Sequence, residues 1–237
     1  MIILRQFITE PHECPYLPDR LAILEYRVAA QLSPADYEEQ MNRGFRKFGS
    51  LLFRPVCEGC SECRPIRIPV QRFRPDRSQR RAWKRNQDLR VVIQPPTADA
   101  DRLDLYHRYH AFQARRKGWP EKERDAAVYE FSFVQNPLPG VEISIWEGSV
   151  LRAITLTEVT PYVVSGIYHY YDPETVDRSL GTYCMLQTIE LARRLRRRWA
   201  YFGFYVEACA SLSYKSRFRP CEIMDSSGGW REAPVER

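Results

Sequence analysis

The sequence lacks any segment of the kind that directs a chain into or through a membrane. Its opening run, Met1 to Phe7, is short and apolar but has no basic lead, no long apolar core and no cleavage site, which argues against a signal peptide. No later stretch approaches the ~18 apolar residues of a membrane span. We therefore expect a cytoplasmic protein without a membrane partner.

The motifs of several large enzyme classes are also absent. The sequence contains no G-x-S-x-G, no H-E-x-x-H and no P-loop, the signatures of α/β-hydrolases, zinc proteases and nucleotide-binding loops. No nucleophile and base stand out as a pair. An enzyme built from this chain must therefore use a donor that is already activated.

Internal repeats and low-complexity linkers are missing too. The 237 residues, of which 44% are hydrophobic, suffice for one large domain or two lobes. The clearest break lies at residues 93–101, where two prolines end the preceding element and small acidic residues can start a helix. We predict a smaller cysteine-bearing lobe with a basic segment at residues 1–95 and a second lobe at residues 96–237.

Lysine is scarce relative to arginine, and the formal net charge is +6. The basic residues concentrate at positions 64–90, which hold ten of them and two acids, a local charge of +8. Arginine can bind both oxygens of a carboxylate or phosphate through its planar fork. This concentration predicts an anionic partner.

The seven cysteines do not suggest a disulfide framework, because their number is odd and no export signal is present. Cys57, Cys60 and Cys63 are separated by two residues each, and Cys14 lies far upstream, before a proline. Four thiolates in such a pattern can surround Zn or an iron–sulfur cluster. A loop of free thiols is the alternative interpretation.

The order of predicted elements indicates a fold. In the first lobe, Ser33 and Pro34 mark a helix start. Periodicity predicts, in chain order, strands at 51–56 and 66–70, a basic helix at 77–87, a helix at 102–117, strands at 141–146, 151–159 and 162–171, a helix at 180–198 and a strand at 200–206. Helix, meander, helix and strand is the order of a GNAT-type acyltransferase. The predicted class is α/β (α+β), with a GNAT-like acyltransferase C-terminal lobe and a smaller cysteine-bearing N-terminal lobe.

The basic helix offers hydrogen-bond donors at helical spacing, so that several fall on one face. The donors are Arg77, Ser78, Gln79, Arg80, Arg81, Lys84 and Arg85. Such a face suits RNA phosphates or a protein carboxylate. A solvated surface helix is the simpler alternative, although few acids interrupt the run.

A second anion-binding candidate is the turn before the helix at 180. Arg178 and Gly181 match the R/Q-x-x-G part of the turn with which GNAT enzymes hold the pyrophosphate of coenzyme A, and the bare first helical turn offers free amides. Tyr183, however, stands where the small last residue of that motif belongs. This departure disfavours coenzyme A and leaves two interpretations, an anion-binding turn and an ordinary strand–loop–helix connection.

Motifs along nearly the whole chain resemble one family. They are Cys14-Pro-Tyr-Leu-Pro-Asp-Arg20, Gly44-Phe-Arg-Lys-Phe-Gly49, Arg54-Pro-Val-Cys57, Arg64-Pro-Ile-Arg-Ile-Pro-Val70, Arg77-Ser-Gln-Arg-Arg81, Asn86-Gln-Asp-Leu89, Tyr170-Tyr-Asp-Pro173, Arg178-Ser-Leu-Gly-Thr-Tyr183, Tyr214-Lys215, Phe218-Arg-Pro220 and Gly229-Trp230. The set is similar to that of the bacterial aspartate/glutamate leucyltransferases, which are short relatives of the eukaryotic arginyl-tRNA–protein transferases.

The resemblance implies transfer of Leu from the acceptor end of Leu-tRNA to proteins that begin with Asp or Glu, which marks them for degradation. An aminoacyl ester is activated, and an α-amine with a pKa of about 7.7–8.0 is partly neutral near neutral pH. No cofactor is therefore required for the chemistry, and a metal or cluster at the cysteines stays open. Positioning and oxyanion stabilisation can supply most of the rate.

Site residues follow from this interpretation. We expect Tyr171, Asp172 and Tyr183 near the reaction centre. The basic helix is assigned to the acidic side chain of the acceptor. The tRNA end is assigned to the turn formed by Arg178, Ser179, Gly181 and Thr182.

Two other functions remain as alternatives. An acetyl-coenzyme A-dependent N-acetyltransferase follows from the element order and the Arg178 turn. A non-catalytic metal-binding RNA module follows from the cysteines and residues 64–90, but it leaves the second lobe without a purpose. Labelled acetyl-coenzyme A and labelled leucyl-tRNA separate the first alternative from the transferase.

Overall fold

The computed structural model describes residues 1–117 and 125–234, and most of their strands lie in two sheets. The strands are β1 (Ile2–Ile8), β2 (His12–Glu13), β3 (Leu21–Ala22), β4 (Leu24–Gln31), β5 (Arg46–Phe48), β6 (Leu51–Pro55), β7 (Arg64–Pro69), β8 (Arg90–Gln94), β9 (Gly140–Glu147), β10 (Val150–Val159), β11 (Val163–Tyr171), β12 (Trp199–Tyr205), β13 (Glu222–Met224) and β14 (Trp230–Glu232).

The helices cover the sheets and connect them. They are α1 (Pro34–Asn42), α2 (Arg77–Arg85), α3 (Ala100–Lys117), α4 (Ala126–Tyr129), α5 (Leu180–Arg194) and α6 (Ala210–Ser213), with a π-helical turn at Glu130–Val134 and 3-10 turns at Pro173–Arg178 and Tyr214–Arg217. None of the helices in the described part of the chain combines the length and hydrophobicity needed to span a bilayer.

The first sheet has four antiparallel strands in the order β1-β4-β6-β5. Helix α1 follows β4, and its predicted start is confirmed. Ser33 accepts a hydrogen bond from the backbone N–H of Asp36, while the Asp36 side chain accepts one from the Ser33 backbone. This reciprocal capping satisfies amides that would otherwise lack partners, so the local sequence alone explains where the helix begins.

The second sheet has eight strands in the order β14-β13-β7-β12-β11-β10-β9-β8. Its neighbouring strands are antiparallel except for β11 and β12, which run parallel. A parallel pair needs a crossover between its strands, and α5 supplies it. The predicted mixed α/β class is therefore confirmed as a large mixed sheet with helices.

Helices α3 and α5 lie on opposite faces of this sheet. Along β10, Ile154 and Leu156 pack with Leu105 of α3, whereas Ala153 packs with Leu180 of α5. Neighbouring residues of a strand point to opposite faces, so the alternation places one helix on each side. Helix α2 packs in turn on α5.

Two boundaries differ from the sequence-based expectation. Strands β7 and β8 precede residue 95 but belong to the eight-stranded sheet, so the sheets change over between residues 55 and 64. Which sheet a strand joins depends on its pairing with distant segments, and local composition does not reveal that pairing. The helix predicted at 180–198 ends at Arg194, because Arg196 adopts a left-handed conformation with φ of 54° and turns the chain into β12.

Candidate functional site

The parallel strands β11 and β12 pair at one end and then separate. They pair from Val163 with Trp199 to Ser165 with Tyr201. Beyond Tyr201 the register of β12 against β7 shifts, and Gly203 at this irregularity has φ of 72°. Glycine enters this left-handed region without strain. The bulge bends β12 away from β11 and opens a cleft in the middle of the sheet.

The cleft leads into a cavity of about 820 Å³ between the two sheets. Its apolar walls come from both sheets and from α5: Phe48, Phe53, Ile167, Phe202, Phe204 and, on α5, Met185. This volume falls in the range of small-molecule sites, and an apolar wall with a few polar groups is the usual composition of such sites. The cavity accommodates an apolar side chain together with polar groups near the separated strands.

Arg46 closes one side of the cleft from the first sheet. This buried residue of β5 donates through Nη2 to the hydroxyl of Ser165 at 3.2 Å and to the carbonyl of Gly166 at 3.1 Å. Its Nη1 atom is buried and finds no hydrogen-bond partner among the described residues. An unpaired guanidinium nitrogen in the interior is costly, so Arg46 keeps unused hydrogen-bonding capacity beside the cavity.

Lys215 closes the other side. Its Nζ donates to the carbonyl of Phe204 on β12 at 2.7 Å. Burial lowers the pKa of Lys215 to about 7, and the nearby guanidinium of Arg46 acts in the same direction. Near neutral pH the amine is therefore only partly protonated, and an anion bound beside it would favour the cationic form.

A third cation of the cavity lining, Lys47, is already neutralised. Its Nζ donates to the carboxylate of Glu158, to Asn136 at 2.7 Å and to the Gly49 carbonyl at 2.8 Å. These three acceptors match the three N–H groups of an ammonium ion. The charge that lacks compensation in the cavity therefore belongs to Arg46 and Lys215.

His169 lies on β11 in the lining of the same cavity. Burial lowers its pKa to about 4, and the Lys215 cation adds to this effect. The imidazole is therefore neutral at physiological pH. It is a weak base there and cannot supply a large driving force for deprotonation of an amine.

The three expected catalytic residues lie beside the cavity rather than in its described lining. Asp172 is buried, binds Arg108 at 3.0 Å and Arg152 at 2.6 Å, and caps the following turn. These contacts lower the pKa of Asp172 against the opposing effect of burial. Tyr171 packs on Tyr109, and the buried Tyr183 packs on Trp83. The structure gives all three a role in packing or charge pairing.

The turn expected to bind tRNA is also occupied. Arg178 donates to Asp88 at 2.9 and 3.0 Å and to Glu147 at 2.6 Å. Gly181 lies against Tyr171, since an added Cβ would come within 3.1 Å of the Tyr171 ring. Ser179 takes a left-handed conformation and Thr182 follows in the half-buried first turn of α5. The charge of Arg178 is therefore already paired within the protein, and binding of an anion at this turn stays a prediction.

Helix α2 begins as predicted but faces away from the cavity lining. Its cap is Asp76, whose side chain accepts from the Ser78 hydroxyl and from the backbone N–H of Gln79. The buried Gln79 side chain accepts through Oε1 from the Asp76 backbone N–H and donates through Nε2 to the carbonyl of Arg217. Ser78 and Gln79 thus serve the cap rather than a ligand. The remaining donors are exposed: Arg77, Arg80, Arg81, Lys84 and Arg85.

The four cysteines come near one another. Burial raises the pKa of the Cys63 thiol to about 12, and the thiols of Cys14, Cys57 and Cys60 are close enough to contribute. Cys57 is instead engaged with the backbone of Ile23, whose N–H donates to its sulfur at 3.4 Å. Within residues 1–117 and 125–234, no group of three or more His, Cys, Asp or Glu side chains is arranged to hold a metal ion.

Sequence reasoning missed the principal residues of this site. Arg46 and Lys215 occur in two of the motifs quoted above, Gly44-Phe-Arg-Lys-Phe-Gly49 and Tyr214-Lys215, but no spacing relates them. His169, in an aromatic strand, is more often a packed residue than a catalytic one. The sequence feature that could have pointed to Arg46 is a basic residue next to phenylalanine in the motif bounded by Gly44 and Gly49.

Two family models match the chain. A model described as "Arginine-tRNA-protein transferase, N terminus" matches residues 12–81, and one described as "Arginine-tRNA-protein transferase, C terminus" matches residues 101–225. The first match includes Arg46 and the four cysteines, and the second includes β11, β12 and Lys215.

Curated relatives with the name aspartate/glutamate leucyltransferase extend over almost the same length. The protein of Stenotrophomonas maltophilia is 37% identical over 94% of this chain and 90% of its own, and that of Chromohalobacter salexigens is 36% identical over 98% and 94%. The protein of Campylobacter jejuni is 32% identical over 92% of both chains. Among solved structures, FemX aligns with a TM-score of 0.53 at 10% identity, over 85% of this chain and 69% of FemX, a likeness of fold.

Proposed function

This chain belongs to the arginine-tRNA-protein transferase family, and from that premise we propose that it is an aspartate/glutamate leucyltransferase. It moves Leu from Leu-tRNA to the α-amine of proteins that begin with Asp or Glu and so marks them for degradation. Charged tRNA is a cytoplasmic substrate, which places the proposed enzyme in the cytoplasm.

The observation that carries the proposal is the cavity at the separated strands β11 and β12. Its lining includes apolar side chains that suit a leucyl group, and its polar lining includes Arg46, His169 and Lys215. A GNAT-like acyl transfer in a cleft between two parallel strands suits this arrangement. The cavity combines an apolar acyl pocket with cations, as a transferase for acidic acceptors requires.

The proposed reaction needs no external energy source. The neutral α-amine attacks the carbonyl carbon of the leucyl ester, an amide bond forms, and the ester C–O bond breaks. The ribose oxygen of the tRNA leaves with a proton, and the amine loses one. The amine's pKa of about 7.7–8.0 keeps a useful fraction neutral, so the weakly basic His169 need not deprotonate it. Positioning and charge stabilisation supply the rate.

The exposed cations of α2 suit the tRNA backbone better than the acceptor's carboxylate. Helix α2 lies outside the described lining of the cavity, and Ser78 and Gln79 are used by its cap. An acidic side chain bound there would be separated from an amine in the cleft. Phosphates of a bulky RNA, by contrast, can reach an exposed helix while the acceptor end enters the cavity. We therefore assign Arg77, Arg81, Lys84 and Arg85 to phosphate.

The cysteine group is kept as a proposed site for an iron–sulfur cluster or Zn, and no step of the reaction passes through it. The support is that the thiols of Cys14, Cys57 and Cys60 lie close enough to Cys63 to raise its pKa. The engagement of Cys57 with Ile23 and the lack of a metal-binding arrangement among the described residues oppose it. Elemental analysis of protein purified without oxygen decides among iron, zinc and no metal. A metal-free preparation in which transfer is intact would remove this proposal.

The function is tested by combining each of several pre-charged tRNAs with each of several peptides that differ in their first residue. We expect Leu transfer from Leu-tRNA to peptides beginning with Asp or Glu, without ATP, and no comparable transfer to peptides beginning with Arg or Lys. Labelled acetyl-coenzyme A in parallel reactions tests the acetyltransferase alternative. Acetyl transfer without leucyl transfer would overturn the proposal.

A further inference from the structure

We propose that Arg46 and Lys215 together bind the acidic side chain of the acceptor's first residue. The inference rests on the proposed leucyltransferase function and adds the site that makes it selective for Asp and Glu. The proposed binding site for the acidic side chain is therefore the cleft where β11 and β12 separate, and not helix α2.

The two cations converge on one point of the cleft. A Cβ built on Gly203 would lie 3.9 Å from Nε of Arg46 and 3.8 Å from Nζ of Lys215. The absence of a side chain at Gly203 leaves this space clear. A carboxylate placed there can therefore reach both groups at hydrogen-bonding distance after small side-chain adjustments.

Both cations have donors left over. A guanidinium has five N–H groups and an ammonium has three. Arg46 uses Nη2 for Ser165 and Gly166, and its buried Nη1 has no partner among the described residues. Lys215 donates to one acceptor among the described residues, the carbonyl of Phe204. A carboxylate has two acceptor oxygens, which complement these free donors.

The local charge balance favours an anion that comes from outside the chain. Glu158, a buried acid outside the cavity lining, is bound by Lys47. Among the described residues that line the cavity, the one carboxylate is that of Glu13, which is on the exposed strand β2. Two cations in a partly closed cavity without a buried counterion repel each other, and an anionic ligand removes this penalty.

A carboxylate fits this place better than a phosphate. The cations sit on the two edges of the cleft in which the amine attacks, and the acceptor carries its amine and its carboxylate on the same residue. One bound residue can thus satisfy both requirements. A tRNA phosphate would bring its ribose into the same narrow part of the cavity, where Phe202 and Phe204 form the wall.

The experiment compares peptides that begin with Asp and with Asn at saturating Leu-tRNA. Asn has nearly the shape of Asp but no charge. We expect the wild-type protein to favour Asp, and Lys215→Met to reduce the Asp-over-Asn ratio of kcat/KM by about ten- to a hundredfold, the loss expected for a charge-assisted bond. Lys215→Arg should restore a large part of that preference, since it returns a cation.

Controls separate selectivity from folding and from tRNA binding. Thermal unfolding checks that the variants fold. Arg46→Lys serves as a second variant, which keeps the positive charge but loses the planar guanidinium that can bind two oxygens. Arg81→Ala on α2, measured below saturating Leu-tRNA, should lower transfer to both peptides alike.

The outcomes distinguish this inference from the function on which it rests. If the wild-type protein transfers Leu but Lys215→Met loses activity equally on Asp and Asn peptides, the acidic pocket is not at Lys215. If that equal loss comes with weaker tRNA binding, the two cations bind phosphate instead. If the wild-type protein transfers no Leu, the proposed function itself fails.

Discussion

Arg46 and Lys215 bridge the gap between β11 and β12 from opposite sides. Arg46 donates to the Gly166 carbonyl of β11, and Lys215 donates to the Phe204 carbonyl of β12. Each cation satisfies a polar group at a point where the two strands have ceased to pair. The same separation that needs these donors also creates the cavity, so the structural and functional features of the site have one origin.

Gly203→Ala should abolish selective transfer with a modest loss of stability. The φ of 72° costs a residue with a side chain about 1–2 kcal/mol, and the new methyl group would occupy the space between the two cations. Gly148→Ala is the matched control, because Gly148 has φ of 59° but an added Cβ meets no atom within 4 Å. We expect similar losses in thermal stability and at least a tenfold loss of transfer in Gly203→Ala alone. Equal activities would show that the space beside Gly203 is not used.

Arg81→Ala should weaken tRNA binding without changing the choice of acceptor. Arg81 is exposed on α2, and each lost phosphate contact lowers the salt slope of log K by about 0.7–0.9. The measurement is Leu-tRNA affinity at several salt concentrations together with a peptide series. A selective loss on Asp and Glu peptides would return α2 to the acceptor site. Arg5→Ala, on the edge strand β1, serves as a control for the loss of one surface charge.

Asp172→Asn should destabilise the fold more than it impairs the chemistry. The buried carboxylate binds both Arg108 and Arg152, and its replacement leaves two cations without their shared partner. We expect a loss of about 2–3 kcal/mol in the free energy of unfolding, since one side of these pairs is partly exposed. Urea unfolding measures the loss, and single-turnover transfer by the folded protein should stay within a few-fold of wild type. Normal stability with a large loss in the single-turnover rate would instead make Asp172 catalytic.

Acid should destabilise the protein through His169. Its pKa is about 4 in the folded chain, whereas an ordinary histidine has a pKa of 6.5, so between these values the unfolded chain binds a proton that the folded chain does not. Stability is therefore complete above pH 6.5 and falls as the pH approaches 4, by at most about 3 kcal/mol. Urea unfolding at stepped pH measures this slope.

His169→Asn should flatten the slope in this window, and Lys215→Met should reduce it, because the Lys215 cation contributes to the lowered pKa. An unchanged slope in His169→Asn would assign the acid sensitivity to other groups.

Much of this protein follows from local sequence. Ser33 and Asp76 set the starts of α1 and α2 because a side-chain oxygen and the backbone amides it caps are only three residues apart. The meander of β9, β10 and β11 follows from hydrophobic runs separated by short turns. The family is evident from motifs distributed over nearly the whole chain. Each of these features depends on neighbours in the chain or on a pattern that can be read directly.

Only the tertiary structure brought the residues of the cavity together. Arg46 is on the edge strand of one sheet and Lys215 is in a turn near the chain's end, and they meet because β12 bends at Gly203. Conversely, Asp172, Arg178 and Gln79 have the residue types of a binding site, but partners from distant segments occupy them. A charged side chain is available to a ligand only if the fold brings it no partner, and pairing across long sequence separations determines this.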